Sequence, residues 1–161
     1  MLRAMRFAES VGVYQRNQMA QRARKRGREW QDRGAAWAYF HQRGIFRGWD
    51  DRALAAYLDH ALRTHPDGRL TLKCPPEREA EIFSSSPKGL WKAVSRISVP
   101  TDIFYGEGTY PFVPRGVTHA RRRNPHIHGH CVPGHHCFMQ EFPEATAETV
   151  RALLSEMTGR G

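Results

Sequence analysis

Cysteine is scarce in this chain: Cys74, Cys131 and Cys137 are the only three among 161 residues. An odd and sparse set argues against a disulfide framework and for an intracellular, cytoplasmic setting. Long apolar runs are also missing. Nothing approaches the roughly 20 residues that a membrane-spanning helix needs. Arg3, Arg6 and Glu9 interrupt residues 1–14, so that stretch holds no signal-peptide core. There is no internal repeat, no zinc-finger spacing, no RNP-like aromatic motif and no basic region linked to heptads. Acidic residues are outnumbered, 16 Asp and Glu against 25 Lys and Arg. At 40% hydrophobic and 25% charged residues, the chain is neither collagen-like nor disordered. Its length suits one domain.

The net charge of +9 raises the possibility of a basic module that binds nucleic acid or an acidic protein. The charge is concentrated in two runs, one of Arg22, Arg24, Lys25, Arg26 and Arg28, the other of Arg121, Arg122 and Arg123. Both sit on helical patterns. Cations in the last turn of a helix are favoured by its dipole, so the second run needs no ligand to explain it. Solvated helix faces are the expected reading, and nucleic acid is not the expected partner.

Periodicity predicts helices over residues 17–27, 35–42, 52–64, 77–83, 90–94, 113–123 and 143–157. Asp50 is placed to cap the third, and Val150, Leu153, Leu154 and Met157 form the predicted buried stripe of the last. Strands are expected over residues 5–13, 69–74, 102–105 and 125–132, with turns at Pro66-Asp67-Gly68 and Pro133-Gly134. The second half therefore runs strand, turn, helix, strand, turn, helix, the order of a parallel α/β sheet. In such sheets chemistry sits in the loops beyond the carboxyl ends of the strands. Here those loops are residues 106–111 and 133–140, and the second carries His135 and His136.

Those loops carry a resemblance. The segment VPGHHCFMQEFPEATAETVRALL resembles the end of α/β-hydrolase-fold enzymes, where the last strand enters a Gly-x-His turn before a helix opened by proline. ISVPTDIFYGEGTYPF resembles the preceding strand, and the stretch containing RGWDDRALAAYLDHAL and PDGRLTLKCPPEREAEIF is similar to a helical lid. The resemblance implies an α/β fold class: an incomplete α/β-hydrolase fold, with a helical lid followed by two parallel core strands and their covering helices. It divides one truncated domain, residues 1–161, into a core strand (about 5–13), the lid (14–86) and a C-terminal core with the histidine turn (87–161). The implied activity is hydrolysis of an ester- or amide-type bond in a small molecule by a nucleophile–His–acid triad, without a cofactor or metal.

Carried over residue by residue, His136 takes the place of the general base and His135 that of a turn neighbour. The usual aspartate position falls on Thr109, whose hydroxyl cannot orient or stabilise an imidazolium as a carboxylate does. Some relatives place the acid after the strand before the lid, which makes Glu9 the candidate acid and Glu107 the runner-up. No Gly-x-Ser-x-Gly occurs anywhere, and Ser10 is read as a bystander. The chain alone is therefore expected to be inactive, with a partner or a further segment completing its sheet. A metal site at His126, His128 and His130 is the weaker reading of those residues, because alternate positions on one strand lie roughly 7 Å apart.

Overall fold

Two aspartates show how locally much of this chain is specified. Asp32 Oδ1 accepts the Ala35 amide at 2.8 Å, and Asp50 Oδ1 accepts the Arg52 amide at 2.8 Å. Each opens a helix by satisfying an amide that has no partner within it. The Arg52 guanidinium also grips Asp50, holding its carboxyl down at about 2.

The computed structural model describes residues 18–85 and 87–158. In chain order the elements are α1 (Gln18–Arg24), β1 (Glu29–Trp30), α2 (Arg33–Phe40), a 3-10 turn (Gly44–Phe46), α3 (Asp51–Ala61), β2 (Leu62–Thr64) and β3 (Leu70–Leu72). They continue with α4 (Pro76–Phe83), α5 (Leu90–Val94), β4 (Thr101–Gly106), α6 (Phe112–Arg123), β5 (Ile127–Val132), α7 (Phe138–Glu141) and α8 (Pro143–Thr158). The expected strand over residues 5–13, with Glu9 and Ser10, lies outside the described residues.

The described residues form two compact units, one drawn from 18–38 and 57–88 and the other from 39–56 and 89–158. In the first, α1 lies on α4 through Ala20, Ala23 and Ala80, with Phe83 packed against them. Side chains this small let two helices approach closely. The same unit holds a three-stranded antiparallel sheet in the order β1-β3-β2, in which β3 is the strand expected over residues 69–74 and β1 and β2 lie where no strand is expected. The helix predicted over residues 52–64 stops at Ala61, and Leu62, Arg63 and Thr64 pair with Leu72, Thr71 and Leu70. Leu62 is buried and fits helical spacing equally well, so periodicity alone could not show the switch. The Pro66-Asp67-Gly68 turn closes this hairpin, with Gly68 at φ +85° and Asp67 accepting the Arg69 amide.

In the second unit β4 and β5 pair in parallel, from Thr101 opposite Ile127 to Gly106 opposite Val132. Helix α6 covers one face through Val117, whose side chain lies against Gly129, and Ala120 is buried with it. Asn124, a buried polar residue, fastens the turn between α6 and β5. Its amide nitrogen donates to the carbonyls of Val94 and Ile97, both at 2.8 Å, and its oxygen accepts the His126 amide. Parallel sheets are normally buried on both faces. Here Ile103, Phe104 and Tyr105 remain only half-buried.

The stripe predicted for α8 is not buried: Val150 is 43% and Leu154 55% exposed, and Leu153 is half-buried. The periodicity is correct, but the described residues supply no surface to cover this face. Met157 lies outside what is described of side chains.

Candidate active site

Because β4 and β5 run parallel, their carboxyl ends open on the same side, and the chain leaves each through a glycine-containing loop. The two loops are zipped together by backbone. The Glu107 amide donates to the Val132 carbonyl and the Gly108 amide to the Gly134 carbonyl, both at 2.9 Å. Glycine is required for this contact. A Cβ on Gly106 would fall 1.9 Å from the His135 carbonyl oxygen, and one on Gly108 would fall 2.9 Å from the His135 ring. Gly134 has φ +107°, a conformation that L side chains rarely adopt.

This zipper delivers the histidine turn to the end of β4. The exposed His136 ring has its Nδ1 2.8 Å from Thr109 Oγ1 and meets the Tyr110 ring edge-on at 4.9 Å between centroids. Thus Thr109, discounted from sequence as unable to orient the ring as a carboxylate would, is the side chain that touches Nδ1. The difference from a carboxylate is chemical. A hydroxyl can donate or accept, so it holds the ring in place without dictating which nitrogen carries the proton. Glu107 is exposed and makes no hydrogen bond to His136 among the described residues. Glu9 lies outside the described residues.

Sequence reasoning missed Glu141. Its side chain is 5% exposed, and its Oε2 accepts the His135 amide at 3.0 Å and stands 3.2 Å from His135 Nδ1. A carboxylate six residues beyond His135, immediately before Phe142-Pro143, was the available signal. The turn is braced further by the Asp50 amide, which donates to the Gln140 carbonyl at 2.9 Å. Cys137, at the start of α7, is half-buried. Burial pushes its thiol up, a hydrogen bond from the Trp49 side chain opposes that, and the Glu141 carboxylate adds to it. Thiolate is the reactive form. Cys137 is therefore expected to react with iodoacetamide at pH 8 at least several-fold more slowly than exposed Cys74 and Cys131. Peptide mapping of a timed reaction checks this, and equal rates at all three would contradict it.

The alternating histidines of β5 do not converge. His130 Nε2 lies 2.6 Å from Asp102 Oδ1, and its ring stacks on Phe104 at 4.6 Å. Among the described residues no three His, Cys, Asp or Glu side chains are arranged to hold a metal. Aromatic rings at the end of α2 and between it and α3 pack on one another: Phe40 meets Phe46 at 4.9 Å, and Phe46 meets Trp49 at 4.7 Å. Burial raises the Tyr57 phenol. In the first basic run, Arg26 pairs with Glu79 at 2.8 Å and Arg28 with Glu77 at 3.4 Å, both carboxylates being on α4. No helix of the described residues is long and apolar enough to cross a membrane.

No family model and no curated protein matches the sequence. Solved structures do. The peroxisomal α/β-hydrolase Lpx1 of Saccharomyces cerevisiae superposes with a TM-score of 0.74 at 14% identity, over 88% of this chain and 40% of that one. This is part of an α/β-hydrolase fold. E-2-(acetamidomethylene)succinate hydrolase gives 0.68 at 18% identity, over 85% of this chain and 50% of that one. The M. tuberculosis esterase Rv0045c gives 0.63 at 23% identity, over 94% and 50%. The chain thus spans only 40% to 50% of the length of these proteins.

Proposed function

We propose that this chain is the histidine-bearing part of a hydrolase that cleaves an ester- or amide-type bond in a small molecule through a covalent intermediate, and that it has no turnover by itself. His136 is the general base that takes the nucleophile's proton and returns it to the leaving group. The nucleophile and the backbone donors for the oxyanion come from outside these residues, since no Gly-x-Ser-x-Gly is present. Residues 14–86 act as the lid over the substrate, and a cytoplasmic setting accords with the three free thiols. The observation that carries this reading is the exposed His136 ring at the carboxyl end of the parallel pair, 2.8 Å from the side chain at the acid position. The half-buried strands and exposed α8 face support a missing complement to the sheet.

Two measurements test this. The purified chain is expected neither to hydrolyse p-nitrophenyl acetate nor to be labelled by a fluorophosphonate. Turnover lost in His136→Ala would overturn the reading. Thr109→Asp places a carboxylate where the hydroxyl now meets Nδ1, which favours the imidazolium. By NMR, the titration midpoint of that ring is expected to move upward by about one pH unit or more in the variant. An unmoved midpoint would show that position 109 does not serve the ring.

A further inference from the structure

The arginine-bearing face of α6 has no role in the hydrolytic site, and the helix dipole explains only part of it. Arg121, Arg122 and Arg123 stand in the last turn, where the dipole favours cations. Arg115 stands near the first turn, where the dipole opposes one. Positions 115, 118, 119 and 122 follow i, i+3, i+4, i+7 spacing, so Arg115, Thr118, His119 and Arg122 share one face. They line a shallow cleft of about 390 Å³. It adjoins a second of about 480 Å³, where Thr118 and Arg122 are joined by Arg121, Pro125, Ile127 and His128.

Three features separate this surface from an ordinary solvated helix. Helix α6 contains no acidic residue. None of its four exposed arginines forms a salt bridge among the described residues, whereas Arg26 and Arg28 of the first run are paired with α4. Residues 88–132 carry seven Lys and Arg against Asp102 and Glu107 alone. An aromatic ring also borders the patch: the half-buried Trp91 lies edge-on to His119 at 4.3 Å, with the Arg123 guanidinium 5.9 Å from its centroid.

We propose that this face of α6 binds single-stranded nucleic acid, with Arg115, Arg121 and Arg122 taking phosphates and the Trp91–His119 rim offering a surface on which a base stacks. Unneutralised guanidiniums along an open cleft complement a polyphosphate backbone. A neighbouring aromatic adds the sequence-tolerant stacking typical of single-strand binders and is superfluous for an acidic protein. The contact is independent of the hydrolytic reading, because it uses neither loop of the histidine turn.

Fluorescence anisotropy of the full chain with a labelled 20-nucleotide oligonucleotide, as single-stranded DNA, single-stranded RNA and duplex, from 50 to 200 mM KCl, tests this. Arg115→Gln with Arg122→Gln is expected to weaken single-strand binding by on the order of tenfold. It should also reduce the slope of log K against log salt by about 1.4, two contacts' worth. Arg22→Gln with Lys25→Gln removes the same charge from the other unit and is expected to change affinity less than twofold. Equal losses in the two variants would reduce the effect to net charge and overturn the proposal. Tighter duplex binding, or displacement of the oligonucleotide by polyglutamate at equal charge, would overturn it in favour of those partners. The DNA and RNA arms show which strand is preferred.

Discussion

Gly106→Ala is expected to cost about 3 kcal/mol or more, and to dismantle the site along with the fold around it. Overpacking at a buried position typically costs about 1–3 kcal/mol when side chains can yield. Here they cannot. The new methyl would meet the His135 carbonyl oxygen at 1.9 Å and the Gly134 oxygen at 2.7 Å, both backbone atoms of the neighbouring loop. The only relief is to part the loops, which breaks the Glu107-to-Val132 and Gly108-to-Gly134 hydrogen bonds and withdraws His136 from Thr109. Urea unfolding followed by near-ultraviolet circular dichroism measures this. Gly116→Ala on α6 is the matched comparison. Its Cβ meets nothing within 4 Å, so removing a helical glycine should stabilise by roughly 0.5–1 kcal/mol. If the two alanines behaved alike, the close approach of the loops would be wrong.

Glu141→Ala is expected to release the histidine turn at a cost of about 1–3 kcal/mol, the range for stranding a buried donor. The carboxylate accepts the His135 amide at 3.0 Å from a nearly sealed position, where the Gly48 backbone is its neighbour. Removing it leaves the amide without its acceptor and opens a void beside Gly134. Glu141→Gln keeps a carbonyl oxygen at the same reach and should recover most of the loss. Hydrogen exchange at the His135 amide separates this from general destabilisation. That amide should exchange much faster in the alanine variant, while the β4–β5 amides keep their protection. If the His135 amide keeps its protection in Glu141→Ala, something else holds the turn.

Much of this was legible in the sequence because it is local. The Asp50 cap, the Pro66-Asp67-Gly68 turn, the two parallel strands and the start of α8 at Pro143 each depend on residues within a few positions of one another. The short Gly-x-His turn after the last strand was legible for the same reason, and it put His136 beyond the carboxyl end of β5, where the structure has it. Strand β2 escaped because Leu62 satisfies two periodicities at once, whereas its partner β3 falls within the strand expected over residues 69–74. Glu141 escaped because a lone glutamate carries no sign of burial.

By itself, then, the sequence settled the longer helices, the strands β3, β4 and β5, the turns at Pro66-Asp67-Gly68 and Pro133-Gly134, and the parallel direction of β4 and β5, which follow from spacing within an element and from the order of neighbouring elements. Only the tertiary structure decided that a threonine meets the histidine, that Glu141 is sealed beneath the turn, that Arg26 and Arg28 of the first basic run pair with carboxylates while the arginines of α6 form no salt bridge among the described residues, and that α8 keeps its apolar stripe uncovered. Each of those depends on a contact between distant parts of the chain, or on the lack of one. Periodicity records which side of an element is apolar, but not what comes to lie against it.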